Sequence, residues 1–289
     1  MTSIVTHVLV KQNRAHQDYI FQGTAQDERG EQFMCTVIFD GHGDKDCIDF
    51  LRAAGKNGTL LTMMGTENPC QTVFQSTQHC FGGSTMNAFR VYANRVENFN
   101  VGDSHAILYE RNKLGQIVRG VECVDHSFSE NERIRLRQRG LQLLTTRTPD
   151  ITHVVDETTI QVVAHMNQVC LQKANRITGE GPPCMTLSQA LGHYGEMGCE
   201  PSTFYLDFLP EHSYQCVHAS DGVWDVLSER DKYERVAQAT CDQLMALTDQ
   251  RYGQTWRVVS DVFPEYHNQT FRYHPPHVDD RSIAMVTIT

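Results

Sequence analysis

Four strand-like runs in this chain end at once on an aspartate beside a glycine or a second aspartate. Phe33-Met34-Cys35-Thr36-Val37-Ile38-Phe39 runs into Asp40-Gly41-His42-Gly43, and Asn98-Phe99-Asn100-Val101 into Gly102-Asp103-Ser104. Tyr214 to Ser220 runs into Asp221-Gly222, and His277-Val278 precedes Asp279-Asp280. Most of these runs are rich in β-branched and aromatic residues and are bounded by turn formers, which is the pattern of short strands in sheets. Two further strands follow such turns, Ala106 to Tyr109 and Ile283 to Ile288.

Helical patterns lie between the strands without alternating with them regularly. Asp46 to Leu61 places Ile48, Leu51 and Ala54 three residues apart, which makes one apolar face. Ser129-x-x-Glu132 fits a capping box, and Gly140 ends the run that it starts. A third helix is expected from Asp221-Gly222 through Trp224, a core residue, and Leu227 to Val236. The mixture predicts an α+β domain with largely antiparallel sheets rather than a doubly wound parallel sheet. Residues 141–185 are polar and carry Pro149, Pro182, Pro183 and Gly179. They are expected to form a partly irregular, flap-like insertion within a single domain spanning 1–289.

Composition narrows the function. Forty per cent hydrophobic and 21% charged residues are ordinary for a globular chain. No apolar run reaches the roughly 18–20 residues of a membrane span, and Met1 to Val10 has no secretory signal pattern. The formal net charge of −10 argues against nucleic acid as a partner. An acidic protein that handles phosphate needs something to offset its own charge, and bound divalent cations would do so. None of the ten cysteines forms a C-x-x-C pair or a zinc-type set, so reduced thiols and a cytoplasmic location, with the nucleus left open, are expected.

A lone aspartate at a strand end is usually a turn former. Three of them, Asp40, Asp221 and Asp279, raise a second reading. If they converge, their charges repel unless cations lie between them, and ligand sets made only of oxygen select Mg²⁺ or Mn²⁺ over zinc. Sequence alone leaves open whether they converge.

Phe39-Asp40-Gly41-His42-Gly43, Gly83-Ser84-Thr85, Asn100 to Ser104, Asp125-His126-Ser127, Ala219 to Ser228 and Asp279-Asp280-Arg281-Ser282 fall in one order along the chain. In that order they resemble the successive motifs of the type 2C metal-dependent serine/threonine protein phosphatases, from about Gln17 onward. The resemblance implies two antiparallel sheets packed face to face with helices on both sides. It implies that Asp40 bridges two Mg²⁺ or Mn²⁺ ions, that the Gly41 carbonyl ligates one, and that Asp221 and Asp279 are ligands of the other. Asp18 matches the acidic residue that holds metal-bound water. Asp125 resembles the residue that shares a third ion with Asp221, and His42 the general acid. Two ions would activate a water and neutralise phosphoryl charge, and His42 would protonate the leaving alkoxide.

The chain departs from the family pattern in three places. The arginine that grips substrate phosphate is replaced by Asn13, with Arg14 one residue late and Lys11 a second candidate. Gln17 stands where many members have glutamate. Ser188-Gln189-Ala190-Leu191-Gly192-His193 replaces both the Arg and the Asp of S-R-A-L-G-D, and His193 is read as a packing or surface histidine. Arg133, Arg135, Arg137 and Arg139 are read as a solvated helix face, and His274 and His277 as loop residues.

A cysteine phosphatase would need a glycine-rich Cys-x5-Arg loop. Only Cys170 has an arginine at that spacing, Arg176, and the segment between them has no glycine. The expected activity is therefore hydrolysis of phosphoserine and phosphothreonine in protein substrates by a monomer, with no nucleic-acid or membrane partner. The alternatives are an inert family member that serves as a scaffold, and a phosphatase for small phosphorylated molecules.

Overall fold

A computed structural model describes residues 3–12, 16–146, 149–163, 166–171, 184–274 and 278–289. The first strands are β1 (Ile4–Lys11), β2 (Tyr19–Gln26), β3 (Gln32–Phe39), β4 (Gly41–His42), β5 (Gly83–Ser84), β6 (Met86–Val91) and β7 (Arg95–Val101). Then come β8 (His105–Arg111), β9 (Ile117–Glu122), β10 (Gln142–Thr146), β11 (Asp150–Val154), β12 (Thr159–Val163), β13 (Met166–Cys170) and β14 (Cys184–Met185). The rest are β15 (Leu191–Gly192), β16 (Ser202–Asp207), β17 (Ser213–Ala219), β18 (Trp256–Val259), β19 (Thr270–Phe271) and β20 (Arg281–Ile288). The helices are α1 (Asp46–Lys56), α2 (Thr59–Met64), α3 (Pro69–Thr77), α4 (Glu130–Gln138), α5 (Asp221–Trp224), α6 (Glu229–Glu234) and α7 (Cys241–Gly253).

The fold is α+β, and its two five-stranded sheets are antiparallel throughout. One has the order β1-β20-β17-β8-β9 and the other β16-β7-β6-β3-β2. Alternation along each strand decides what each face covers. Phe89 and Val91 of β6 share an apolar cluster with Leu108, Cys216 and Val286 of the other sheet. A hydrogen bond between Thr36 Oγ1 and His218 Nε2, 3.0 Å, also joins the two sheets. The opposite face of β3 and β6 packs on Ile48, Leu51, Leu60 and Val73 of α1 to α3. The opposite face of β8, β17 and β20 packs on Trp224, Leu244 and Met245 of α5 and α7. These contacts run helix, sheet, sheet, helix. Each fully buried aliphatic side chain in them stabilises the fold by about 1.5–3 kcal/mol.

Two expected helices divide. The run from Asp46 breaks at Asn57-Gly58, where Gly58 has φ of +83°. The apolar spacing continued across that break, which hid it. The run after Asp221 ends at Trp224 and restarts at Glu229, because the Ser228 side chain and Asp231 form a reciprocal capping box. At Ser129 only half of the expected box forms. Its hydroxyl accepts from Glu132 N–H at 3.3 Å, but its own N–H goes to the Ser127 carbonyl.

The basic run is a solvated face only in part: Arg137 and Arg139 are exposed, while Arg135 is half-buried. Arg135 donates to Glu132, to Ser188 O at 2.6 Å and to Met197 O at 2.7 Å, and Arg139 donates to the carbonyls of Gly195 and Glu196. These two arginines tie α4 to the segment 188–197. Residues 141–185, expected to be partly irregular, contain β10 to β14 in their described part. Those strands form β10-β13-β14 and, with β18 and β19, a second small sheet in which β12 and β18 run parallel. Ile160 and Val162, buried with Trp256 and Val258, give that sheet its own apolar cluster. Among the described residues no helix is long and apolar enough to cross a membrane, and nine cysteines are free.

Candidate metal centre

Neighbouring strand ends of the two large sheets bring the acidic turns to one place. β3 leads directly into Asp40, whose carbonyl accepts from Thr85 N–H at 2.8 Å while its N–H donates to Thr85 Oγ1 at 3.2 Å. Thr85 Oγ1 in turn pairs with Ser104 Oγ at 2.7 Å, so the Gly83-Ser84-Thr85 and Gly102-Asp103-Ser104 turns brace the Asp40 turn. From the other sheet, Ser220 N–H donates to the Ser282 carbonyl and Ser282 N–H to Ser220 Oγ, which locks the Asp221 turn against the Asp279-Asp280 turn. Ser220 Oγ also donates to Asp18 Oδ2 at 2.9 Å. Asp280 is buried and accepts Gln17 N–H at 3.0 Å, which anchors the segment that carries Asp18.

Glycine is required at two of these turns by close approach. A Cβ on Gly41 would collide with Ile48 of α1 and with Gln17. One on Gly222 would collide with the Asp280 carbonyl and meet Asp279 Cβ at 3.1 Å.

Electrostatics record the convergence. Burial, followed by the charges of Asp221, Asp18 and Asp103, raises Asp40 well above the usual carboxylate range. Burial, with Asp103 and Asp279 beside it, pushes Asp221 up to about 7. Burial, with Asp221 and Asp280 adding to it, pushes Asp18 up to about 7. Asp103 is pushed up to about 6 by burial, with Asp125 and Asp279 contributing. Two buried oxygens in the group, Asp18 Oδ1 and Asp221 Oδ1, have no hydrogen-bond partner among the described residues. Buried carboxylates that face like charges are costly unless something positive compensates them.

Among the residues expected from sequence, Asp18, Asp40, Asp221 and Asp279 come together, with Gly41 next to them in the chain. Asp125 stands at the edge of the group. It acts on Asp103 and is held by His105, whose Nδ1 lies 2.7 Å from Asp125 Oδ1 and whose Nε2 lies 3.0 Å from Glu122 Oε2. The His105, Cys123 and Asp125 ligand atoms all lie within 4.8 Å of one another. Arg14 and His277 lie outside the described residues, while His274 is exposed. Lys11, the second candidate for gripping phosphate, makes an ion pair with Asp249 at 2.6 Å.

His193 is not a surface residue. It is 3% exposed, and its Nε2 lies 2.9 Å from Nδ1 of His42. Burial, with His193 beside it, holds His42 well below the usual imidazole range, and burial pushes His193 down to about 4. Sequence reading also missed Asp103 and Asp280 as members of the group. Part of the signal for Asp103 was present, since its turn also ends a strand-like run, but there the glycine precedes the aspartate.

A comparison with family models finds no match, and one with curated proteins finds none. Solved structures do match. A sex-determining protein of C. elegans superposes with a TM-score of 0.55 at 18% identity, covering 99% of this chain and 64% of that one. The chain thus spans less than two thirds of that protein's length. The serine-threonine phosphatase 2C of Toxoplasma gondii superposes with a TM-score of 0.51 at 15% identity, covering 99% of both chains. The chain therefore has the fold of the type 2C phosphatases.

Proposed function

We propose that this chain is a metal-dependent phosphatase that hydrolyses phosphoserine and phosphothreonine in proteins. The observation that carries the reading is the convergence of Asp18, Asp40, Asp103, Asp221 and Asp279, with two buried carboxylate oxygens that have no hydrogen-bond partner among the described residues. Such a set fits hard divalent cations, Mg²⁺ or Mn²⁺, which take oxygen ligands. Asp40, Asp221, Asp279 and the Gly41 carbonyl would hold two of them, Asp18 would anchor water beside them, and Asp125 with Asp221 would hold a looser third. Bound there, the cations would lower the pKa of a water and neutralise the phosphoryl oxygens.

The chain's own groups do the rest. Ser220 and Asp280 orient Asp18 and Gln17, so the acidic group is held before substrate arrives. Arg14 would grip the substrate phosphate. His42 would supply a proton to the serine or threonine oxygen as it leaves, because an alkoxide is a poor leaving group. No cysteine nucleophile is needed, and the nine described cysteines are buried. The phosphatase named from Toxoplasma gondii, which shares the fold, supports the reaction class.

The test is hydrolysis of a phosphothreonine peptide during a Mn²⁺ or Mg²⁺ titration, with EDTA as control. Activity should appear with metal and vanish with EDTA. Asp40→Asn and Asp279→Asn should each lower kcat/KM by on the order of 10³-fold, since each removes several kcal/mol of charge stabilisation. Undiminished activity in either variant would sink the assignment. Turnover of small phosphorylated molecules but not the peptide would move the reading to that substrate class.

A further inference from the structure

A cavity of about 470 Å³ opens beside the metal centre. The paired ends of β1 and β20, where Lys11 stands opposite Arg281, form one wall. The C-terminal half of α7 contributes Asp249 and Tyr252, and the segment after β19 contributes Arg272 and His274. Val278 on the rim adjoins Asp279 in the chain, and the Tyr252 hydroxyl donates to the Gly222 carbonyl, next to Asp221, at 2.9 Å. Arg281 follows Asp279 by two residues, a span of at most about 7 Å. The cavity and the acidic group are therefore neighbours.

The charge of the lining runs against that of the chain. The formal net charge is −10, yet Lys11, Arg272 and Arg281 line the cavity against one carboxylate, Asp249. Lys11 Nζ and Arg281 Nη2 meet the same oxygen, Asp249 Oδ1, at 2.6 Å and 2.8 Å. Arg281 is buried and pinned. It also donates to Thr248 Oγ1 at 2.8 Å and lies over the Tyr252 ring, 5.0 Å from its centroid. Tyr252 in turn meets Tyr273 edge to face, with centroids 4.9 Å apart. A charge fixed in such low-dielectric surroundings acts more strongly than one in water. Arg281 thus supplies field without touching a ligand, whereas Lys11, Arg272 and His274 are exposed and can be reached.

A group that fits this lining is small, anionic and able to accept hydrogen bonds from several directions. A phosphoryl group has three acceptor oxygens and carries about 1.5 to 2 negative charges at neutral pH. Arginine recognises it with paired N–H groups. The phosphoryl group to be hydrolysed belongs at the acidic group, so one in this cavity is a second. In an extended peptide, a residue two or three places away lies about 7–10 Å along the chain, which matches the step from Asp279 to Arg281.

We propose that this cavity is a subsite for a second phosphoryl group, carried two or three residues from the phosphoserine or phosphothreonine that is hydrolysed. The inference deepens the phosphatase reading above and rests on it for the identity of the substrate. Arg272 makes the direct contact, and Asp249 holds Lys11 and Arg281 in place behind it. The segment after β19 thereby selects doubly phosphorylated peptides over singly phosphorylated ones. No bond is made or broken in the subsite; it contributes binding alone.

The test compares phosphothreonine peptides that carry serine or phosphoserine about three residues away, with the Mn²⁺-loaded protein. The second phosphate should raise kcat/KM about tenfold, through KM with kcat little changed, because it adds binding that ground state and transition state share. Arg272→Ala should bring the ratio between the two peptides to within about twofold of one, and Arg272→Lys, which keeps the charge, should retain part of it. A ratio near one in the unsubstituted protein leaves the cavity to free phosphate at most and overturns the proposal, as does a ratio that survives Arg272→Ala. Placed behind about ten prolines, and so about 31 Å away, the second phosphate should give no gain. An equal gain there marks diffuse attraction and overturns the subsite. Binding is read without turnover on the same peptides made with non-hydrolysable phosphonates, by fluorescence anisotropy with Mn²⁺ present. The second phosphonate should tighten Kd about tenfold in the unsubstituted protein and leave it unaltered in Arg272→Ala. Absence of turnover on every peptide counts against the phosphatase reading, and the Kd ratio then decides the subsite by itself. Tightening that needs Arg272 supports it, and no tightening overturns it.

Discussion

A methyl group at residue 222 would strike the Asp280 carbonyl, so the Asp221 turn closes on the Asp279-Asp280 turn only with glycine there. The neighbour is backbone and cannot swing aside, so the turn itself must shift. Gly222→Ala should therefore separate Asp221 from Asp279 while leaving the sheets intact. The strain of fitting one extra carbon into a tight site is about 1–3 kcal/mol, which corresponds to a loss of Mn²⁺ affinity of about 5- to 150-fold by titration calorimetry. Unchanged affinity would mean that the two aspartates do not act on a common ion. The same scale shows why Asp103 was hard to read. Its turn reads Gly-Asp where the others read Asp-Gly or Asp-Asp, and its membership depends on Asp125, Asp221 and Asp279 arriving from elsewhere in the chain.

Among the elements, the break between α5 and α6 turns on Ser228. Its hydroxyl caps α6, and its partner Asp231 is 3% exposed and also binds Arg251 of α7. Ser228→Ala should lower unfolding free energy by about 1–2 kcal/mol, the upper part of the range for a cap, as measured by urea denaturation. A change within error would show that Asp231 and Arg251 hold the corner without it. The strands that end on aspartates were legible because β-branched runs and turn residues are local signals. The helix breaks were not, because apolar spacing carried across Asn57-Gly58 and across Ser228. The contacts of Arg135 and Arg139 were missed for a related reason. Their carbonyl partners lie in 188–197, and nothing near them in sequence announces that contact. The strands of 141–185 pair partly with β18, far along the chain, which hid them too. His193 became readable as a site residue only once β5 had brought it to His42.

For the whole molecule, the acidic group couples stability to pH and to metal. Asp18 and Asp221 titrate near 7 and Asp103 near 6 in the folded protein, against about 4 for unfolded aspartate. A folded pKa above the unfolded value means that the folded state holds the proton more tightly. The stability from these groups is therefore fully present below about pH 4 and is lost as pH rises through 6 to 7. In EDTA, the melting temperature should fall between pH 5 and pH 7.5. Added Mn²⁺ should restore it at pH 7.5, because a cation replaces the missing protons, and should do little at pH 5. A metal-free melting temperature that rises with pH over that window would contradict the mutual burial of these carboxylates.

The most direct test of the account is a count of bound Mn²⁺ at pH 7.5 by calorimetric titration of the metal-stripped protein, beside the same titration of Asp40→Asn. The account predicts about two tightly bound ions per chain in the unsubstituted protein, and loss of tight binding in Asp40→Asn with the fold retained by circular dichroism. Absence of tight binding in the unsubstituted protein, or an unaltered isotherm in Asp40→Asn, would contradict it.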